Sequence, residues 1–527
     1  MSNDVPESDP ITPSPQTGKR IVIFADGTGS AFGRQESNVW RLYQTLDKTD
    51  KQGALLQLAR YIPGVGTSAN AVVRMLDGAI GFGVPSNVRK LYRFVCWNWE
   101  PGDQIYLFGF SRGAFTVRTL AGMIAMQGLM PGGAEVSQAE MARNARGAWR
   151  AYREETAPLI KDGVMQMNPL IGLVRVLRNG LVAVKRGLLG QRGHREVLEA
   201  LPQDRRAGAV PIRFMGLFDT VEAYGLPVEE MRGLWNWLIW PIRFRNRRCS
   251  PVVQHVRHGL SLDDERLSFH PIRFDQSPRP DGRPVPDTKE VWFAGVHSDV
   301  GGGYPNDETA FAPLLWIADE ASFAGLIFDR GALERFRRRL YPQALIHDSR
   351  RGLASIYRYS PRLIESGESH GGAPVVHPSV LAKMRNGADG YAPLRLPAGF
   401  CIAAPDPQGT ATVCTAVGRD ETVVRRIEAL IHRRKGTNWT TILAVMALIV
   451  IPLWDFWKGS APPQSDTLRW IAGLVGGLLP GWAVTWAEGL VARWYLTLPL
   501  LALIVAIYRV NDVLALRIRD LARRIWR

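Results

Sequence analysis

Ser111 has a glycine two positions before it and another two after, in Gly109-Phe110-Ser111-Arg112-Gly113. A serine in that setting can act as a nucleophile if the chain turns at it so tightly that side chains at Gly109 and Gly113 would clash. Such a turn lifts the hydroxyl above the end of a strand. It also points the Arg112 N–H at the carbonyl oxygen under attack. A hydroxyl is a weak nucleophile alone, so the chemistry needs a carboxylate and a histidine base further along, in that order. Asp219, after the apolar run of PIRFMGLFDTV, and His297, after EVWFAGV, meet the requirement.

These side chains need elements that bring them to one edge. Ile105-Tyr106-Leu107-Phe108 has no polar break, which suits a strand buried on both faces of a parallel sheet. Ala114, Val117, Leu120, Ala121 and Ile124 then recur at helical spacing, so Ser111 falls where strand turns into helix. Runs at Ile212–Leu217 and Glu290–Val296 predict strands ending at Asp219 and His297, the edge where doubly wound sheets place their sites. Three fixed positions in a chain with 52 glycines match readily by chance, so this context carries the assignment.

KRIVIFA at 19–25 reads as the first strand, followed by the loop Asp26-Gly27-Thr28-Gly29. That loop either supplies a second oxyanion donor from Gly27 or Thr28, or only shapes a turn. Asn38, Val39, Leu42 and Tyr43 open a helix; LARYIPGVGT is a strand and glycine loop; Ser86 with Asn87 would cap a helix over Val88–Trp97. Gly64-Val65-Gly66 has neither the Walker spacing nor a dinucleotide fingerprint, which argues against nucleotide binding. The rival bases are His258, His270, His347 and His377. His258 precedes helix-like SLDDERLSF and reads as a buried structural partner, and the others follow no clear strand. Asp299 reads as a stabiliser of the loop Gly301-Gly302-Gly303 more readily than as a cation ligand, since no calcium spacing accompanies it. The chemistry requires no metal and no organic cofactor.

Two segments point to a lipid surface. On a helix over Leu170–Gly190, Arg175, Arg178, Lys185 and Arg186 form a narrow stripe, and Leu173, Val174, Leu177, Leu181, Val184 and Leu188 fill most of the rest. This is either a membrane-facing lid or, given three glycines, a core helix. The second joins Trp235, Trp237 and Trp240 to Arg243, Arg245, Arg247 and Arg248, tryptophans for the headgroup level and arginines for phosphates. Nucleic acid would use the same groups, but beside an ester-cleaving site lipid is the simpler partner.

Near the C-terminus Trp439–Trp454 and Leu490–Tyr508, the latter interrupted by Arg493, approach the ~20 residues that cross a bilayer. Leu468–Glu488 between them reads as interfacial, re-entrant or a third span. Arginines flank both ends, which keeps the hydrolase region and both termini cytoplasmic by the positive-inside rule. A formal charge of +16 suits anionic lipid. The four cysteines show no paired spacing, so no disulfide or zinc framework is expected. Residues 1–18 are acid-, serine- and proline-bearing without an apolar core, and read as a disordered tail lacking a secretory signal.

GFSRGA at 109–114, FADGTGS at 24–30, YIPGVGT at 61–67, GLFDTV at 216–221 and GVHSDVGGGY at 295–304 together resemble the α/β-hydrolase family DUF2235, which includes the Tle1 class of type VI secretion lipase effectors. HGLSLDDER at 258–266 and VHPSVLAKMR at 376–385 extend the likeness over about 19–400. The resemblance implies a serine esterase acting on phospholipids through Ser111, Asp219 and His297. It also implies an immunity protein or a secretion-apparatus protein as partner, and no nucleic acid.

The reading is therefore of the α/β class: an α/β-hydrolase-like, doubly wound, mostly parallel sheet with helical insertions and a C-terminal membrane-associated region. Its domains would be a hydrolase over 19–435 with insertions around 131–205 and 228–250, a membrane region over 436–510 and a basic tail over 511–527. Function is expected to be a membrane-anchored phospholipase or lysophospholipase at the bacterial inner membrane, or delivered into a target cell's envelope. The alternatives are an esterase of soluble acyl compounds and an inactive pore-forming or scaffold protein.

Overall fold

The computed structural model describes residues 18–27, 36–49, 56–64, 83–133, 135–158, 160–161, 164–165, 168–222, 247–280, 282–341, 343–386, 390–404, 413–416, 420–458, 465–477 and 481–526. Nine strands form the main sheet: β1 Arg20–Ala25, β2 Gln57–Ile62, β3 Gln104–Phe110, β4 Ile212–Phe218, β5 Val253–Ser261, β6 Asp287–Phe293, β7 Val375–Val376, β8 Gly399–Ile402 and β9 Val413–Ala416. In space they run β9-β8-β7-β6-β5-β4-β3-β1-β2, every pairing parallel except β8 with β9. The chain thus has a mixed, mostly parallel α/β fold.

The period-two alternation of the strands sorts their side chains between two cores. On one face Ile21, Ile23, Ile105 and Leu107 pack against helices α2 Gly83–Asn98, α3 Arg112–Gln127 and α4 Gln138–Thr156. On the other, Val22, Phe24, Tyr106 and Phe108 meet α1 Asn38–Thr45 and the wholly apolar Phe311–Ile317 stretch of a later helix. Helices on both faces explain why β3 carries no polar break. The sheet order reverses direction between β1 and β3, and β3 ends at Ser111. Such a switch point opens a crevice beyond the strand ends.

Three expectations are revised. The helix expected to start at Val88 begins at Gly83, so Ser86 and Asn87 lie within it and not ahead of it. SLDDERLSF is not a helix: β5 runs to Ser261, and Asp263 and Asp264 accept hydrogen bonds from the backbone N–H groups of Gly295, His297 and Arg266. Short carboxylates that bond nearby backbone compete with helix in this way. Cys401 and Cys414 form a disulfide, because the antiparallel β8–β9 pairing sets them directly opposite each other across a separation that no sequence spacing signals. Positions 435/436 and 510/511 lie within the helices Glu421–Lys458 and Trp494–Ile525.

Those two helices, with Asp466–Gly477 and Gly481–Ala492 between them, close the chain. Both are long and apolar enough to cross a membrane by length and composition. The run expected from Leu490 is broken at Arg493, which caps the last helix. That helix continues through the expected basic tail and buries Ile518, Ala522 and Ile525 against Ile427 and Ile431 of the first.

Candidate active site

The end of β3 shows why the sequence needs its glycines. Ser111 has φ 57° and ψ −122°, a conformation that non-glycine residues rarely adopt, and α3 begins at the next residue. A Cβ on Gly113 would stand 2.0 Å from the carbonyl oxygen of Ala25, and one on Gly109 2.5 Å from Cα of Ala114. Helix α3 can therefore cross β1 and β3 only with hydrogen at both positions. Ser111 makes no side-chain cap to α3. Its Oγ lies 2.8 Å from Nε2 of His297 instead.

His297 follows β6 and opens the short helix Val296 precedes, His297–Gly301. Its Nδ1 lies 2.5 Å from Oδ2 of Asp219. Asp219 follows β4 with φ 44°, its N–H donating to the Gly259 carbonyl at 2.8 Å. The register explains the convergence: Phe110 pairs with Phe218 and Phe218 with Gly259, so the strand ends stand side by side. Ser111, Asp219 and His297 are all buried.

The imidazole sits between the rings of Phe110, at 4.8 Å, and Phe269, at 5.1 Å. Burial pulls its pKa below the ordinary value, with the Asp219 carboxylate acting in the opposite sense. Burial by itself would raise the Asp219 carboxyl; the Arg362 guanidinium and the His297 hydrogen bond override it and hold the group well below the usual carboxylate range. With Asp219 ionised, Nδ1 of His297 carries the proton and Nε2 is the acceptor facing Ser111.

Of the expected oxyanion donors, Arg112 opens α3, whose first N–H groups point back toward the strand end. Gly27 abuts the serine, since a Cβ there would come 3.3 Å from Cβ of Ser111. Its N–H, however, donates to the Asp26 carboxylate at 2.6 Å, and Asp26 also accepts from Ser37 and Tyr61. Thr28 lies outside the described residues, as do Trp235, Trp237, Trp240, Arg243 and Arg245.

The other histidines are engaged elsewhere. His258 is fully buried; its Nε2 accepts from the Thr220 N–H at 3.1 Å and its Nδ1 faces Glu290 at 3.0 Å, so it supports the residue after Asp219. His270 meets the Ser360 carbonyl, His377 meets Ser379, and His347 meets Asp299 at 2.6 Å. Asp299 also accepts the N–H groups of Val296 and His347, a loop-fixing role.

Sequence reasoning missed Arg362. It lies 143 residues from Asp219 in an irregular segment, and only its type, a cation to be buried with a carboxylate, hinted at the pairing. The helix α5 Pro169–Leu188 forms as expected, with Arg175 turned inward, Arg186 half-buried, and Arg178, Lys185 and most of its leucines exposed. Arg175 is buried and donates to the Ala157 carbonyl at 2.8 Å, while Leu181 and Leu188 are 72% and 83% exposed.

Residues 19–320 match the family model of the type VI secretion phospholipase effector Tle1-like catalytic domain. The chain is 30% identical over 284 residues to Uncharacterized protein YEL023C of Saccharomyces cerevisiae, covering 51% of this chain and 35% of that protein. It thus spans about a third of the length of this curated relative. A solved structure of an uncharacterized protein from Pseudomonas aeruginosa aligns with a TM-score of 0.34 at 18% identity, over 64% of this chain and 50% of that one. The chain belongs to the Tle1-like phospholipase effector family of type VI secretion.

Proposed function

We propose that the protein is a serine hydrolase that cleaves carboxylic esters of phospholipids through an acyl-enzyme. The observation that carries this reading is the unbroken line from Ser111 Oγ to His297 Nε2 at 2.8 Å and from His297 Nδ1 to Asp219 at 2.5 Å. His297 accepts the serine proton as Oγ attacks the ester carbonyl, and Asp219 orients the imidazole and stabilises its charged form. The tetrahedral oxyanion is met by the Arg112 N–H, joined from the loop after β1 by Thr28, or by Gly27 once its N–H turns away from Asp26. His297 then protonates the departing alcohol oxygen as the ester C–O bond breaks. Water, deprotonated by the same imidazole, releases the fatty acid.

Lipid as substrate is supported by family membership and by two surfaces. The exposed apolar face of α5 suits burial among acyl chains, and the helices Glu421–Lys458 and Trp494–Ile525 suit insertion as an anchor. Family membership favours delivery into a target cell's envelope over residence in the producing cell, with an immunity protein as the natural antagonist. The fold supporting this chemistry is an α/β-hydrolase arrangement.

Mass spectrometry of phospholipid vesicles incubated with the full chain tests the reading. Fatty acid and lysolipid should accumulate with wild type and not with Ser111→Ala. Equal release by both would overturn the serine mechanism. Turnover of short soluble esters with lipids left intact would favour the soluble esterase instead.

A further inference from the structure

Asp219 receives a full positive charge from outside the sheet. Arg362, 1% exposed, donates from Nη1 to Asp219 Oδ1 and from Nη2 to Asp219 Oδ2, both at 2.7 Å. A planar guanidinium facing a planar carboxylate in this way fixes both position and rotation of the acid. The same two nitrogens donate to the carbonyls of Ser261 at 2.7 Å and Phe269 at 2.5 Å. Phe269 backs the His297 ring, and it is itself held by the Arg266 guanidinium 3.4 Å above it and by Tyr357 at 5.6 Å. One arginine therefore secures the acid and the wall behind the base.

The segment carrying Arg362 is mounted on the C-terminal helices. The Tyr359 N–H donates to Asn438 Oδ1 at 2.9 Å, and Asn438 Nδ2 donates to the Ser355 carbonyl at 3.3 Å. Arg434 lies 4.2 Å over the Tyr359 ring and pairs with Glu265 at 2.8 Å, while the Ser360 N–H donates to the Glu265 carbonyl at 2.7 Å. Tyr359 also shares a core with Ile427 and Ile431 of one helix and Ile518, Ala522 and Ile525 of the other. Thr437 and Asn511 tie the two helices together at 2.6 Å.

We propose that Arg362 is a positioning residue for Asp219, and that the C-terminal helical pair, by holding Tyr359, sets the reactivity of Ser111. This rests on the serine-hydrolase reading above. The connection runs from the apolar helices to Tyr359, through two residues of backbone, Ser360 and Pro361, to Arg362, and from Arg362 to the acid. An enzyme built this way has its triad tuned by whatever seats those helices.

The charge arrangement makes the idea testable. The groups around His297 are Asp219, Asp264 and its partner Arg266, Arg362 behind Asp219, Asp263 bound to the Gly295 N–H, and Asp299 paired with His347. Loss of the Arg362 charge leaves Asp219 less neutralised, which stabilises the imidazolium. The acid limb of reactivity then moves to higher pH.

The test follows labelling of Ser111 by a fluorophosphonate across an acid-to-neutral pH series, using the full chain in detergent, alongside fatty-acid release from phosphatidylethanolamine vesicles. Folding is checked by thermal melt. Arg362→Gln should raise the midpoint of the acid limb by about one pH unit, and Arg362→Lys should restore part of it. Asn438→Ala, remote from the serine, should shift it in the same direction by less. A folded Arg362→Gln with the wild-type midpoint would overturn the clamp, and Asn438→Ala identical to wild type would overturn its mounting on the helices. If Arg362→Gln does not fold, Arg362→Lys and Asn438→Ala decide by the same midpoint. Wild type that takes no label would sink the serine reading and the clamp together. Wild type that is labelled yet releases no fatty acid would sink only the lipid substrate.

Discussion

The backbone N–H of Ser111 donates to the carbonyl of Phe218 at 3.0 Å, pinning the turn after β3 to the last residue of β4, the one that precedes Asp219. Ser111 and Asp219 are also the two non-glycine residues with positive φ among the described residues, at 57° and 44°. Each backbone is held in a costly conformation by a hydrogen bond to the next strand, Ser111 to β4 and Asp219 to β5, which is the pattern expected where function demands placement. The nucleophile is thereby located by main chain, and replacing the Ser111 side chain should remove chemistry while leaving the fold; Asp219 is held in addition by its buried pair with Arg362, so only a replacement that keeps its shape, such as Asn, isolates the chemistry.

Ser111→Ala and His297→Ala should each lower kcat on a short ester by roughly four orders of magnitude or more, with little change in KM. Asp219→Asn should fall by about 10⁴ through the wrong imidazole tautomer. Steady-state kinetics with a circular dichroism check on each variant measures this. Residual activity in Ser111→Ala near wild type would reassign the nucleophile.

Gly113 tests the scaffold in the opposite way. A methyl group there must displace the Ala25 carbonyl, 2.0 Å away in the neighbouring strand, so neither partner is a flexible side-chain end. Gly113→Ala should cost at least about 3 kcal/mol and appear as a lowered Tm or loss of soluble protein. A variant that melts with wild type would mean that α3 does not cross β1 as closely as described.

The pH dependence follows from the buried imidazole. Burial lowers the His297 pKa from its ordinary 6.5, so the neutral, proton-accepting form persists to lower pH than a free histidine would allow. The rate on a short ester should therefore be flat around neutrality and fall only on the acid side, with a kcat/KM midpoint below 6.5. Asp219, held ionised by Arg362, stays charged throughout that range. A kcat/KM midpoint above the ordinary histidine value would contradict the burial.

Much of this arrangement was legible in the residues because short-range rules carry it. Gly109 and Gly113 flag the turn, the apolar runs before Asp219 and His297 flag parallel strands, and the order of the three fixes which edge they share. The remainder depends on contacts between distant segments. Arg362 meets Asp219 across 143 residues with no periodic signal, and Cys401 meets Cys414 only because two strands pair antiparallel. The DDER stretch misled because charged residues at helical spacing were instead used to bind backbone N–H groups near His297. The direction faced by α5 was likewise undecidable from its wheel, since only packing on α4 tells which of its residues turn inward: Arg175 is buried while Arg178 and Lys185 of the same stripe are exposed.

That orientation yields the last prediction. Asn179 donates to Glu154 at 2.7 Å and Arg186 reaches the Arg143 carbonyl at 3.5 Å, so part of the polar side of α5 rests on α4, with Arg178 and Lys185 exposed. Leu173, Leu177 and Leu181 are left more than half exposed on the other side. Burying a leucine in hydrocarbon contributes ~1.5–3 kcal/mol, so replacing one that inserts should weaken vesicle binding about tenfold or more. Leu177→Glu with Leu181→Glu should reduce co-flotation of the full chain with phosphatidylglycerol vesicles and slow fatty-acid release, while short-ester turnover stays at the wild-type rate because α5 lies outside the Ser111 contacts. If the double variant floats as wild type does, α5 does not enter the bilayer and the C-terminal helices carry membrane attachment without it. If short-ester turnover falls in parallel, α5 supports the fold rather than the lipid surface.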